Sequence, residues 1–125
     1  MQDNIIVKPS VEKQFDRFLR QGRALFFSAP CGFGKTAVAE ALLSSREVLR
    51  LSADSAGFKL PSAEADWQIL LLDDLQDMQE EQDWNALCEL IRACPDRRFV
   101  LLSRGAPPGS LMAFQYTGLM TVLEA

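Results

Sequence analysis

The sequence predicts an α/β fold in which a parallel sheet lies between layers of helix. Three observations predict it. Short, wholly apolar runs recur along the chain: Ala24-Leu25-Phe26-Phe27, Ile69-Leu70-Leu71-Leu72 and Phe99-Val100-Leu101-Leu102. Such runs mark strands buried on both faces, as in a parallel sheet. Stretches with helical spacing separate them, the alternation expected of βα units. Finally, each run ends in polar or turn-forming residues: Ser28 before a Gly-rich octapeptide, then Asp73-Asp74, then Ser103-Arg104. In an open α/β sheet all these tips lie on the C-terminal edge, where ligands bind.

Taken in order, the chain opens with a short apolar piece, Ile5-Ile6-Val7, stopped by Pro9. Ser10 reads as the N-cap of a helix over Val11–Arg20, with Val11, Phe15, Phe18 and Leu19 on one face and Gly22 as its C′ residue. Ala24–Ser28 is the first strand. Ala37 to Leu43 favours helix, and Ser44-Ser45 breaks it. Val48–Ser52 reads as the second strand, and residues 54–68, with Gly57 and Pro61, read mostly as loop. After the Ile69–Leu72 strand, a polar stretch over Gln76–Asp83 leads into an amphipathic helix. Trp84, Leu87, Cys88 and Ile91 share its face, and Pro95 ends it. The Phe99–Leu102 strand follows, then a turn over Gly105–Gly109 with Pro107 and Pro108. A short helix over Ser110–Tyr116 is closed by Gly118, and Leu119–Leu123 is the last strand. No repeat, low-complexity tract or linker interrupts the 125 residues, so a single domain spanning 1–125 is expected.

Composition narrows the function. Net charge is −4, which excludes a general polyanion-binding surface, so no direct DNA contact by this chain is expected. There is no histidine, which removes Ser–His and Cys–His catalysis and most zinc sites. The three cysteines, Cys31, Cys88 and Cys94, form no C-x-x-C pair and leave an odd count, which fits a reducing compartment. No basic-then-apolar leader is evident at the start, and no apolar run is long enough to cross a bilayer. The expected location is cytoplasmic, with no membrane partner.

The chemistry centres on Ala29–Thr36, Ala-Pro-Cys-Gly-Phe-Gly-Lys-Thr, which lies between a predicted strand and a predicted helix. In that context G-x-x-x-x-G-K-[ST] is a phosphate-binding P-loop. Gly32 and Gly34 let the backbone curl so that its N–H groups converge, and the helix that begins near Lys35 adds the positive end of its dipole. Pro30, Cys31, Gly32, Phe33, Gly34, Lys35, Thr36 and Ala37 are the candidate nucleotide-binding residues, with Lys35 on the β- and γ-phosphates and the Thr36 hydroxyl on Mg²⁺. Cys31 reads as a small space-filling side chain, since a thiolate there would repel phosphate. Ala29 stands where the motif usually has its first Gly. Asp73, at the tip of an apolar strand, is the expected second Mg²⁺ ligand. Asp74 is the candidate for orienting an attacking water, and Arg104 for meeting a γ-phosphate or the charge that develops on it.

These segments carry a resemblance. Ser28 to Thr36, Leu70 to Leu75 (Leu-Leu-Leu-Asp-Asp-Leu) and Val100 to Pro108 (Val-Leu-Leu-Ser-Arg-Gly-Ala-Pro-Pro) resemble, in this order, the STAND-class ATPase domain of MalT-type, LuxR-family transcriptional regulators. Val7-Lys8-Pro9 is similar to the short basic-Pro segment that precedes the first helix in that family, and Ala29 is its usual residue. The resemblance implies a three-layer P-loop NTPase sandwich with a five-stranded sheet of order 5-1-4-3-2. It implies ATP or ADP with Mg²⁺, Arg104 as γ-phosphate sensor, and Val7 and Pro9 near the adenine. Two segments depart from the family pattern. Residues 54–68 are brief where the family carries a longer insertion, and the segment after Pro107-Pro108 lacks the usual arginines. In the family, a winged-helix domain, a repeat sensor and a C-terminal DNA-binding helix-turn-helix follow, none of which this sequence contains. The expectation is therefore either an N-terminal piece of a larger regulator, which partners its other domains and reaches DNA only through them, or a small natural protein that has lost those domains. Its nucleotide state would be the switch, with slow or no hydrolysis in isolation. The alternatives are a stand-alone small P-loop kinase or NTPase, and a degenerate P-loop interaction module without ligand.

Overall fold

A computed structural model of the chain describes residues 9–28, 39–41, 43 and 46–124. Its elements run in the order helix α1 (Pro9–Gln21), strands β1 (Ala24–Ser28), β2 (Leu49–Ser52) and β3 (Ile69–Asp73), a 3₁₀ turn over Leu75–Asp77, helix α2 (Glu81–Ala93), β4 (Arg98–Ser103), helix α3 (Gly109–Tyr116) and β5 (Met120–Glu124). Residues 39–41 are also helical. The five strands form one sheet of order β2-β3-β4-β1-β5, and every pairing is parallel. Read from the other edge, this is the order implied by the resemblance.

Strand alternation sends successive residues to opposite faces. Ala24 and Phe26, with Leu70, Leu72, Phe99, Leu101 and Met120, build one apolar layer together with Leu87 and Ile91 of α2 and Leu111 and Phe114 of α3. Leu25 and Phe27, with Leu71, Val100, Leu102 and Leu123, build the other with Phe15 and Phe18 of α1, and with Ala39 and Leu43. The central strands are therefore apolar over Ala24–Phe27, Ile69–Leu72 and Phe99–Leu102, because both faces are covered. The edge strand β2 is less apolar, and Arg50 within it is exposed.

Several local readings need adjustment. Helix α1 begins at Pro9, so Ser10 lies inside the first turn and is not the N-cap. A proline is well suited to that first turn, where its missing N–H is no loss. Gly22 does end the helix, its N–H donating to the Phe18 carbonyl at 2.8 Å, but it is not among the positive-φ residues. Glycine suits it for a different reason: a Cβ there would stand 2.9 Å from Cδ1 of Phe18. The polar stretch after β3 contains the unforeseen 3₁₀ turn, anchored by the fully buried Leu75. Residues 54–68 are loop as expected. Trp67 pins that segment, its ring edge-on to Phe99 at 5.6 Å and its Nε1 donating to the Ser62 carbonyl at 3.0 Å.

Candidate functional site

The sheet topology itself selects a crevice. After β1 the chain contributes Ala39 and Leu43 to the α1-side layer, whereas after β4 it contributes Leu111 and Phe114 to the opposite layer. β1 and β4 are neighbours with Ser28 beside Ser103, and the described residues that follow them pack on opposite faces of the sheet. This is a topological switch point, where open α/β sheets hold ligands beyond the strand C-termini.

Asp73 closes β3 and is only 6% exposed. Leu71 belongs to the α1-side layer, and Asp73, two residues on, takes the same face. Its Oδ1 accepts the Asp74 N–H at 2.8 Å, while its Oδ2 is 3.8 Å from Nη2 of Arg50. Arg50 also pairs with Glu40, on the helical residues 39–41. One exposed arginine thus joins the β3 tip to the segment that follows the Gly-rich loop. The strand bearing Asp73 is not directly beside β1, because β4 intervenes. Two strand spacings separate the tips by roughly 10 Å, a gap that a metal ion and phosphate oxygens can span.

Asp74 adopts φ 57 and ψ 40, the left-handed region, where Asp and Asn are the best tolerated residues after Gly. Its Oδ2 accepts from the Ser52 hydroxyl at 2.8 Å, and its Oδ1 from Nε2 of Gln76 at 3.4 Å. The same Ser52 oxygen lies 2.6 Å from Oδ1 of Asp54, so one hydroxyl proton is shared between two carboxylates. This tethers the Asp74 side chain on the β2 side of its strand.

At the β4 tip, the Gly105 N–H donates to Oγ of the buried Ser103 at 3.1 Å, and the Ser28 hydroxyl donates to the Gly105 carbonyl at 3.0 Å. The Arg104 N–H donates to Oε1 of Gln76 at 3.1 Å. The Arg104 side chain is exposed and forms no ion pair with a described residue.

Of the residues singled out from the sequence, Asp73, Asp74 and Arg104 thus stand on one sheet edge, joined by hydrogen bonds through Gln76. Pro9 is the first residue of α1, at the far end of the helix from β1. Val7, Pro30, Cys31, Gly32, Phe33, Gly34, Lys35, Thr36 and Ala37 lie outside the described residues. Three residues of the edge escaped the sequence reading: Arg50, Ser52 and Gln76. Ser52 ends an apolar-alternating strand just as Asp73 ends its own, a signal that was available. Gln76 lies in a polar run with nothing to distinguish it.

Among the described residues, no group of three or more carboxylates, cysteines or histidines gathers to hold a metal. A buried single carboxylate at a strand tip is nevertheless a suitable Mg²⁺ partner, because Mg²⁺ commonly takes one or two carboxylates and draws its remaining oxygens from phosphates and water. No protein-family model matches the sequence, and no curated protein matches it. No helix among the described residues is long and apolar enough to cross a membrane.

Proposed function

We propose that this chain is a P-loop domain that binds ATP–Mg²⁺ and serves as the nucleotide-dependent switch of a MalT-type transcriptional regulator. The single observation that carries the reading is the convergence at one switch-point edge. There the strand leading into Ala29–Thr36, the Asp73-Asp74 tip and the Ser103-Arg104 tip meet in a shared hydrogen-bond network. The Gly-rich loop cradles the phosphates with its N–H groups, and Lys35 neutralises the β- and γ-oxygens. Thr36 and Asp73 hold the Mg²⁺, which when bound neutralises charge on the phosphate oxygens. Asp74 orients water, and Arg104 reads whether a γ-phosphate is present. By the resemblance, Val7 and Pro9 would stand near the adenine. Turnover is slow, since Asp74 is one methylene shorter than a glutamate and is held by Ser52 and Gln76. Contact with DNA belongs to other domains of the parent protein.

The test is a thermal-shift titration. A ligand that binds only the folded state, at about a hundredfold excess over Kd, stabilises it by about 2.7 kcal/mol. ATP or ADP with Mg²⁺ raises the Tm of the wild type, and Lys35→Ala folds but loses most of that rise. Equal shifts in the two proteins would remove the P-loop reading, and no shift in either would favour an interaction module without ligand.

A further inference from the structure

Gln76 uses both ends of its amide, the oxygen on the Arg104 backbone and the nitrogen on the Asp74 carboxylate. The Arg104 N–H can only donate, so the oxygen of the amide must face it, which turns Nε2 toward the Asp74 carboxylate. The two contacts fix one amide orientation, and each agrees with the other. Neither a glutamate, which lacks the donor, nor an asparagine, which is shorter, can reproduce both.

The supports on either side are stiff. Gln76 sits within the 3₁₀ turn, closed by Asp77 N–H to Asp74 O and Met78 N–H to Leu75 O, each at 3.0 Å. Leu75 below it is fully buried. On the β4 side, Ser103 takes the Gly105 N–H and Ser28 donates to the Gly105 carbonyl. Arg104 is therefore held by backbone contacts before and after its own Cα, while its guanidinium is left to solvent. A displacement of the β4 tip is passed to Asp74 by way of the Gln76 amide, and a displacement of Asp74 returns by the same route.

We propose that Gln76 is a positioning residue that couples the Arg104 turn to Asp74, so that γ-phosphate sensing and the water-orienting carboxylate move as one unit. This rests on the nucleotide-binding reading, and the experiment separates the two. ATP–Mg²⁺ and ADP–Mg²⁺ affinities are measured by calorimetry on the full chain as wild type, Gln76→Met, Arg104→Ala and the double variant. Met is close in size to Gln but can neither donate nor accept in this way.

Arg104→Ala is expected to lower the ratio of ATP to ADP affinity. Gln76→Met is expected to lower the same ratio roughly 3- to 10-fold, the worth of one hydrogen bond to a positioned group. In the double variant the Gln76 substitution adds nothing further, because the group it positions is gone. The nucleotide-free Tm verifies folding, and Gln76→Ser, too short to reach Arg104, is the second variant and gives the same ratio. Equal losses for ATP and ADP, additive effects in the cycle, an unchanged ratio, or unfolding of both Gln76 variants would overturn the inference and leave Gln76 a structural residue. An Arg104→Ala ratio equal to the wild type also overturns it. Wild type that binds neither nucleotide overturns the P-loop reading itself, and the inference with it.

Discussion

Asp74 has a backbone that glycine would adopt more readily and a side chain that glycine would lack. At φ 57 and ψ 40 an L-residue bears a strain of roughly 1 kcal/mol, which Asp offsets by bonding to Ser52 and Gln76. Both Asp74→Ala and Asp74→Gly lose those bonds, but only Ala keeps the strain. Urea unfolding should therefore find Asp74→Gly more stable than Asp74→Ala by roughly 1 kcal/mol, the reverse of the usual order for the two residues. Asp74→Asn should hold its stability and its nucleotide affinity while losing whatever hydrolysis remains. A second residue-scale prediction concerns Cys88. Burial pushes its thiol above the ordinary 9.0, outweighing Arg92 and the hydrogen bond from the Ser110 side chain, while Glu89 adds to the rise. The folded chain thus keeps a proton that the unfolded chain releases near pH 9. The resulting stability is whole below that pH and is lost as pH rises toward the folded value. Between about pH 8 and pH 10, wild type should lose more stability than Cys88→Ala, measured by denaturant midpoints. Parallel losses in the two proteins would show that this thiol plays no part.

Among the elements, α3 shows where a glycine is required and where it is incidental. Gly118 follows its last turn at φ +82, and the Leu119 N–H then reaches the Phe114 carbonyl at 2.8 Å, which directs the chain into β5. A Cβ at Gly118 would meet nothing within 4 Å, so the expected penalty of Gly118→Ala, about 1 kcal/mol, is backbone strain alone. Gly109 opens the same helix with similar open space and no positive φ. Gly109→Ala should be neutral or slightly stabilising, because alanine favours the helix. Chemical denaturation of both variants checks the pair, and an equal effect of the two substitutions would refute the assignment of Gly118 as a left-handed cap.

For the whole molecule, charge and topology make separate statements. With a net charge of −4, the chain has no long-range attraction for phosphate backbones, and only a local anion site is expected. The isolated chain should therefore show no measurable duplex DNA binding at physiological salt. A gel shift at micromolar protein with a steep salt dependence would contradict this and would move DNA contact onto the domain itself. The topology is equally specific. Among the described residues, those that follow β1 and β4 pack on opposite faces, which places a switch point between the two strand tips, where the Ser28 hydroxyl bonds to the Gly105 carbonyl.

The sequence alone determined the strands, because residues buried on both faces must be apolar at every position. The Ala24, Ile69 and Phe99 runs are legible for that reason, and helix α2 for its Leu87, Cys88 and Ile91 spacing. It also determined that Asp73, Asp74 and Arg104 fall at strand ends, since polarity returns where burial stops. The start of α1 was misread at Ser10 because a proline serves a helix's first turn as well as it ends an apolar run. That β4 separates β1 from β3 was implied by the resemblance and is shown by the tertiary structure, but no one strand's composition reveals it, since strand order depends on how crossovers pack. The tertiary structure alone brought Ser52 and Gln76 onto Asp74 and joined Arg50 to both Glu40 and Asp73. Contacts between polar residues far apart in the chain leave no periodic trace in the sequence, because hydrogen bonding constrains a pair of positions while hydrophobic burial constrains a whole face.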